Sequence, residues 1–421
     1  MKKYCFLSIL FSAFTIAYSQ ELNLEALRQS VVQNNGQLLA QKFEIGAARA
    51  QVIQAKLIPN PTLSVSEINL WKNRTAESLA PIVGHFGQHQ QISVELEQTI
   101  ELAGKRKKRV SLSELNVKDA ELAYEELLRE LQLEIDQSYW NFFTIQKKVV
   151  LIESLTDIYH KLYRSYKRQY ELQNISHADY LRIQSAFFNL QKDQTALIAD
   201  RNEWLEKMRV LTHINDLQVH HIKEPAIQQQ LSRNIPSGLE SLVFDQNISL
   251  QKQLNQTKIE TQNWIMEKAE KTPNMSLSMN YDRGGNIMQN FVGLGLSMDI
   301  PVFNRNKGNI ESAKMTIERS KTQNKIMQHK LQNELITLYD QLILYENTLT
   351  ESLTNGPNED QLMLLSNYQK NLLSKQITVL EFTDFVSAYQ ESQIGQMELM
   401  LAYQLTYAQL EYLFGENFKS I

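Results

Sequence analysis

Residues 92–109 read ISVELEQTIELAGKRKKR, and this stretch decides the fold. Apolar and polar residues alternate from Ile92 to Leu102, which is the period of a β-strand whose two faces meet different surroundings. Only Gln98 breaks the apolar row. A glycine and five basic residues follow, and neither glycine nor proline occurs again before Pro225. The stretch therefore predicts a strand that leads directly into a very long helical segment.

The strand and its helix occur twice in the chain. Residues 59–70 (PNPTLSVSEINL) predict a partner strand ahead of residues 92–109. In the second copy, residues 273–281 (PNMSLSMNY) predict the corresponding partner, and residues 293–314 (GLGLSMDIPVFNRNKGNIESAK) predict the strand that leads into a helix. Each pair of strands is expected to form a hairpin, because the two alternating runs are close in sequence.

A second pair of matching segments marks a turn between long helices. Residues 174–191 (NISHADYLRIQSAFFNLQ) match residues 376–393 (QITVLEFTDFVSAYQESQ). The fold class is therefore mainly α with a small β part, made of two tandem repeats of a strand pair and a long helical hairpin. Such a unit buries little apolar surface by itself, so it is expected to pack against neighbouring units or further copies of the chain.

The predicted organisation is one unit, residues 20–421, behind a signal peptide at 1–19. It divides into repeat 1 (20–212), a linker (213–236) and repeat 2 (237–421). In repeat 1 the expected elements are a helix over 21–57 interrupted at 34–36, strands near 62–70 and 91–102, a helix over 105–172, a turn at 173–176 and a helix to about 211. In repeat 2 they are a helix to about 271, strands near 275–281 and 291–300, a helix over 307–355, a break at 356–358, a helix over 360–374, a turn, and a last helix to about 414.

The strands have the length and alternation of membrane strands with one face to lipid and one to water. A soluble sandwich with one wet face would alternate in the same way. Four strands cannot close a barrel, and an open sheet edge cannot lie in lipid. A membrane location therefore requires several chains, and three chains would supply 12 strands, an even number within the range of such barrels.

The N-terminus predicts export. Lys2 and Lys3 precede a short apolar run that ends at the small residues Ala17 and Ser19, as in a secretory signal peptide. Cys5, the only cysteine, lies in that run, so a chain cleaved near Gln20 has no thiol. Mean hydropathy is −0.37, which is too polar for a helical membrane protein.

Composition and motifs exclude several classes of function. The formal net charge of −4 argues against nucleic acid as a partner. No catalytic constellation or phosphate-binding loop appears, so we expect no enzyme activity and no cofactor. The paired histidines of the chain lack a third ligand in sequence and are interpreted as solvated, which leaves no predicted metal site. They are His85 with His89 and His220 with His221.

The segments PNPTLSVSEI, ELEQTIELAGKRKKR and IPVFNRNKGNIESAK resemble the TolC-like outer membrane efflux proteins, and in particular their heavy-metal branch, the cobalt–zinc–cadmium and copper–silver components. The resemblance covers essentially the whole mature length. It implies a homotrimer with a 12-stranded β-barrel in the outer membrane and an α-helical tunnel in the periplasm. It also implies three partners, which are a periplasmic adaptor (membrane fusion) protein, an inner membrane RND-type pump and outer membrane lipid.

The resemblance also assigns roles to the hairpin tips. It implies that eight tip residues contact the adaptor and that three acids line a narrow periplasmic entrance. The tip residues are Gln173, Asn174, Ile175, Ser176, Lys375, Gln376, Ile377 and Thr378, and the acids are Asp179, Glu381 and Asp384. The family commonly has glycine where Gln173 and Lys375 stand, so stiffer tips are expected here. Ordinary solvated acids on a helix surface remain the alternative interpretation of the three carboxylates.

The sequence thus favours an exit duct for heavy-metal cations. An exit duct for multidrug efflux or for type I protein secretion is the nearest alternative. A periplasmic adaptor would have a single helical hairpin inserted in a β domain, which the duplicated strand pairs oppose. A purely structural coiled-coil protein would not need four amphipathic strands.

Overall fold

A computed structural model describes residues 22–68, 78–225, 239–284, 288–355 and 360–415 of the 421-residue chain. The signal peptide, the end of the first predicted strand, the later part of the linker and the break at 356–358 lie outside these residues. The chain forms two compact units. The helical unit is drawn from Met1–Leu39, Glu125–Asn247 and Lys330–Ile421, and the sheet unit from Ala40–Tyr124 and Ile248–His329.

The predicted order of helices and strands is found along the described chain. The elements are α1 (Leu24–Asn34), α2 (Gly36–Ala55), β1 (Thr62–Ser66), β2 (Ser93–Ile100), α3 (Lys105–Glu171), α4 (His177–Thr212), α5 (Leu239–Gln246), α6 (Ile248–Ala269), β3 (Met275–Gly284), β4 (Gln289–Met298), α7 (Lys307–Asn355), α8 (Asp360–Leu373) and α9 (Val379–Phe414). At 1.5 Å per residue, the 67-residue helix α3 is about 100 Å long. Among the described residues, no helix is both long enough and apolar enough to cross a lipid bilayer.

The four strands form one antiparallel sheet in the order β1-β2-β3-β4. The central pair, β2 and β3, joins the two repeats, and its register sets Leu96 opposite Met279. The apolar row of each strand therefore falls on the same face of the sheet. That face is exposed: Leu294, in β4, has 80% of its surface accessible, and Leu296 has 68%.

The opposite face of the sheet carries small and polar residues. Gly293 and Gly295 of β4 lie opposite Asn280 and Ser278 of β3. A Cβ atom on Gly293 would lie 2.4 Å from Oδ1 of Asn280, and one on Gly295 would lie 2.6 Å from Oγ of Ser278. The glycines therefore leave room for polar side chains on this face, and the predicted difference between the two faces is present.

The core of the helical unit is shared by both helical hairpins. Apolar residues of α3 at a spacing of three and four are buried, and Tyr166 packs against them half-buried; the buried residues are Ile152, Leu155, Tyr159 and Leu162. Residues from the other three helices complete this cluster, among them Ile183, Phe187 and Leu190 of α4, Leu365 and Leu372 of α8, and Phe382, Val386 and Tyr389 of α9. Tyr159 and Tyr166 are thus helix-packing residues, and burial raises the pKa of Tyr159.

The helix ahead of β3 differs from the prediction. A helix to about residue 271 was expected, and the structure has two helices there, because α5 ends at Gln246 and α6 begins at Ile248. Asn247 separates them, and its buried side chain donates to the carbonyl oxygen of Leu413. The predicted interruption at 34–36, in contrast, is found between α1 and α2.

Candidate functional site

The two hairpin tips end their first helices with the same backbone motif. Gln173 has φ +59° and Lys375 has φ +60°, so both are in the left-handed region. The next amide in each tip reaches back by five residues, from Asn174 to the carbonyl of Gln169 (2.9 Å) and from Gln376 to that of Asn371 (2.8 Å). This is a Schellman motif, which satisfies carbonyl groups left free at a helix C-terminus.

The motif gives a physical reason for the glycine that the family commonly has at these positions. Glycine adopts a left-handed φ without steric cost, whereas a residue with a Cβ does not. The structure retains the left-handed turn although Gln173 and Lys375 carry side chains. The departure from glycine therefore changes the energy of the turn and leaves the backbone path of the tip in place.

A side-chain cap begins the second helix of each hairpin. Oγ of Ser176 accepts a hydrogen bond from the amide of Asp179 (3.0 Å) and donates to its carboxylate (2.7 Å). Oγ1 of Thr378 accepts from the amide of Glu381 (3.2 Å), and the Glu381 carboxylate accepts from the Thr378 amide (2.7 Å). The second arrangement is a complete capping box.

Two of the three predicted entrance acids therefore also have a local structural role. The backbone amide and then the hydroxyl of Thr378 hold the pKa of Glu381 below its usual range, so the carboxylate is ionised near neutral pH. Asp179 stands at the corresponding place in the first hairpin. Asp384 lies one turn beyond Glu381, exposed, and outside the cap. Sequence reasoning overlooked this role, although Ser-x-x-Asp and Thr-x-x-Glu before an apolar helix signal it.

The two hairpins differ in charge at one equivalent position beyond the tip. Arg182 occupies in the first hairpin the place that Asp384 occupies in the second, 202 residues later, and both are exposed. Quasi-equivalent positions in the two hairpins thus carry opposite charges, while Asp179 and Glu381 carry the same charge.

A stack of aromatic rings stiffens the first hairpin near its tip. The rings of Tyr170 and Tyr180 are parallel within 5° with centroids 5.0 Å apart, and Tyr163 stacks on Phe187 at 5.5 Å. The hydroxyl of Tyr170 is 2.6 Å from Nδ1 of His177, the first residue of α4. The rings therefore join the end of α3 to the start of α4 directly beneath Gln173–Ser176, which sequence reasoning did not identify.

The paired histidines lie in the linker and in the loop between β1 and β2. His220 and His221 contact each other edge to face at 4.2 Å between ring centroids, and Nδ1 of His221 accepts from the amide of Gln218. His85 is exposed in the loop between β1 and β2, and His89 is half-buried there. Within the described ranges, no three His, Cys, Asp or Glu side chains gather as metal ligands.

Residues 27–212 match the family model described as outer membrane efflux protein. The cobalt-zinc-cadmium resistance protein CzcC of Cupriavidus metallidurans is 20% identical over 346 residues, which cover 82% of this chain and 76% of CzcC. The solved structure of the outer-membrane channel OprN has a TM-score of 0.76 at 14% identity, covering 94% of this chain and 90% of that one. The structure of CusC has a TM-score of 0.70 at 16% identity, covering 93% and 92%.

These likenesses and the duplicated elements define the fold class, an amphipathic sheet combined with paired helical hairpins. The MtrE outer membrane channel of Neisseria gonorrhoeae has the same fold, with a TM-score of 0.70 at 14% identity and coverage of 95% and 93%. Residues 27–212 of the chain thus match the outer membrane efflux protein family, and the chain has the TolC-like fold.

Proposed function

We propose that this chain is the outer membrane exit duct of a tripartite efflux system and that its cargo is heavy-metal cations. The proposal of a duct rests on the four-stranded sheet, which has one exposed apolar face and has β1 and β4 at its edges. Such a face suits lipid, and such edges need partner strands before the sheet can lie in a membrane.

Three copies of the sheet would complete a closed barrel of 12 strands. In that assembly, β1 of one chain pairs with β4 of the next, so every strand acquires two neighbours. The small and polar face then lines a water-filled lumen, and Leu294 and Leu296 face lipid. A homotrimer is therefore part of the proposal, and native mass measurement in detergent should give three chains, whereas a stable soluble monomer would reject it.

The hairpin tips are the proposed periplasmic end. Gln173–Ser176 and Lys375–Thr378 contact the adaptor, and the adaptor links the duct to an inner membrane pump of the RND type. Exposed side chains on a stiff, doubly capped turn suit a docking surface, because little conformational entropy is lost on binding. Photo-cross-linkers at Asn174 and Gln376 should capture a periplasmic protein, and labelling of either position from outside intact cells would contradict this topology.

The entrance acids support a cationic cargo. Asp179, Glu381 and Asp384 would place nine carboxylates near one constriction in a trimer, and a narrow opening lined by one sign of charge concentrates counter-ions. Two unit charges 4 Å apart interact by about 1 kcal/mol in bulk water and by more where water is partly excluded. Cations passing the constriction would reduce the mutual repulsion of these carboxylates.

Measurements of resistance to metals and drugs test the proposed cargo. Removing the gene for this chain should sensitise cells to cobalt, zinc and cadmium, because CzcC, the relative that is 20% identical, is a cobalt-zinc-cadmium resistance protein. Resistance to hydrophobic drugs and dyes should not change, and the intact gene should restore growth on the metals. The opposite pattern, with drug sensitivity alone, would replace the metal cargo with the multidrug alternative.

A further inference from the structure

The first turn of α3 contains four consecutive basic residues, Lys105 to Lys108, and no acidic residue. The N-terminus of a helix carries partial positive charge, so cations there destabilise the helix by electrostatic repulsion. These four residues are therefore not explained by the helix itself. Their partners must be sought outside it.

Lys105 and nearby Arg109 have partners within the sheet unit. Lys105 is 5% exposed, and its Nζ lies 2.9 Å from a carboxylate oxygen of Glu270 and 3.0 Å from Oδ1 of Asn274. Arg109 donates to both carboxylate oxygens of Glu101, at 2.6 and 3.0 Å. These two cations stabilise the junction between β2 and α3.

Arg106 and Lys107 are placed differently, because both are exposed and line a cleft of about 360 Å³. The apolar wall of the cleft comes from Ile58, Pro59 and Ile100. Ile58 has 62% of its surface accessible although it is a large apolar residue. Gln98, Thr99, Glu101 and Gly104 complete the lining, and the Glu101 carboxylate accepts both of its hydrogen bonds named above from Arg109. Arg106 and Lys107 therefore face an apolar wall, and the cleft suits a ligand with an anionic group and an apolar part.

The side chain of Gln98 holds one wall of the cleft in place beside β2. Its Nε2 donates to the carbonyl oxygen of Pro59 (3.0 Å), just ahead of β1. This bond fixes the Ile58–Pro59 segment against β2. The one polar residue that interrupts the apolar row of β2 therefore builds a wall of the cleft.

The cleft continues the apolar face of the sheet. Ile100 is the last residue of β2 and follows Val94 and Leu96 in the apolar row on the exposed face. The cleft therefore lies where the proposed lipid-facing surface ends and the basic residues begin. Lys and Arg at such a boundary are attracted to anionic lipid.

We propose that this cleft binds the headgroup of an anionic phospholipid. This inference rests on the proposed outer membrane location. Arg106 and Lys107 contact the phosphate, the guanidinium group offering two parallel donors and the ammonium group a point charge. Ile58, Pro59 and Ile100 contact the glycerol and the first methylene groups of the acyl chains. The bound lipid supplies the negative charge that the first turn of α3 lacks.

The test compares lipid retention by three forms of the full chain, purified in neutral detergent and titrated with phosphatidylglycerol by native mass spectrometry. The forms are the wild type, the double variant R106Q/K107Q, and the control K118Q/K325Q, which loses the same charge at two exposed helix positions of the sheet unit. A basic residue near an anionic surface contributes about fivefold, so the double variant should lose about thirtyfold in affinity. The control should bind like the wild type.

Two comparisons identify the ligand. Phosphatidylcholine should bind all three forms equally and weakly, and millimolar inorganic phosphate should not displace phosphatidylglycerol. Equal binding of phosphatidylglycerol by all three forms would overturn the proposal, and displacement by phosphate would assign the cleft to free phosphate instead. If the double variant does not assemble, R106Q and K107Q are measured singly, with about fivefold losses expected.

Oligomeric state and channel conductance are recorded on the same wild-type preparation. If the wild type forms conducting trimers but all three forms bind phosphatidylglycerol equally, the lipid site is rejected and the proposed function stands. A preparation that forms neither trimers nor channels would reject the proposed function itself.

Discussion

Asn35 and Asn247 occupy equivalent places in the two repeats and make the same hydrogen bond. Asn35 separates α1 from α2, and its Nδ2 donates to the carbonyl oxygen of Leu211, close to the end of α4, at 3.3 Å. Asn247 separates α5 from α6 and donates to the carbonyl oxygen of Leu413, close to the end of α9, at 3.4 Å. Both asparagines are buried, so the duplication extends to the polar contacts that end the long helices.

Replacing either buried asparagine should destabilise the helical unit. Asn35→Ala or Asn247→Ala leaves a carbonyl near a helix end without its side-chain partner, which costs about 1–3 kcal/mol. The expected result is a lower midpoint of thermal unfolding in detergent for each variant. Asn34→Ala is the matched control, because the Asn34 side chain is exposed and donates to Oγ of Ser30 within its own helix. A midpoint for Asn35→Ala equal to that of Asn34→Ala would refute the argument.

A buried ionic cluster makes a larger contribution to the same unit. Arg28 of α1 donates through Nε to Asp136 of α3 (2.7 Å) and through Nη1 and Nη2 to Glu411 of α9 (3.0 and 2.9 Å). Arg28→Ala should lower the free energy of unfolding by about 3–5 kcal/mol, because Asp136 has only 3% of its surface accessible and would lose its cationic partner.

Arg49→Ala is the control for Arg28→Ala. Its exposed pair with Glu121 (2.9 Å) should contribute less than about 1 kcal/mol. Chemical unfolding in detergent measures both variants. Similar losses of unfolding free energy in the two variants would show that burial of the Arg28 cluster does not increase its contribution to stability.

Glycine at the tips should stabilise the hairpins. Gln173→Gly and Lys375→Gly each remove the cost of a left-handed residue with a Cβ, about 1–2 kcal/mol, part of which is offset by the greater backbone entropy of glycine in the unfolded chain. Gln173→Ala removes the side-chain amide but retains the Cβ, so it should bring no gain. Unfolding midpoints compare the three variants with the wild type, and a gain for alanine equal to that for glycine would exclude the backbone explanation.

The capping box predicts a pH dependence. The pKa of Glu381 is lowered from its ordinary value of 4.5 by the amide and hydroxyl of Thr378, so the folded state favours the ionised carboxylate. Its contribution to stability is therefore fully present above about pH 4.5 and is lost as the pH falls through the lower folded-state pKa. The difference in unfolding midpoint between wild type and Glu381→Gln should be largest near pH 6 and should shrink towards pH 3. A difference independent of pH would mean that the carboxylate charge does not act through the cap.

The sequence predicted the elements because their signals are local. Alternation defines β2 and β4 without reference to the rest of the chain, and the absence of glycine and proline defines α3 and α4. The break at Asn247 was missed because it depends on Leu413, 166 residues away. The Arg28 cluster is equally remote, since Asp136 and Glu411 lie 108 and 383 residues away. Contacts of this range follow from packing and have no periodic signature.

Asp384 offers the cleanest test of the entrance, because Asp179 and Glu381 also cap helices and their loss would change stability as well as charge. Asp384→Asn should lower cation-over-anion selectivity in single-channel recordings and weaken block by divalent cations from the periplasmic side, since three carboxylates of the trimer are removed near the constriction. The unfolding midpoint should not change. Glu203→Gln, an exposed acid farther along α4, is the matched control and should alter neither property. Wild-type selectivity and divalent block in Asp384→Asn would make this acid an ordinary solvated residue of the helix surface.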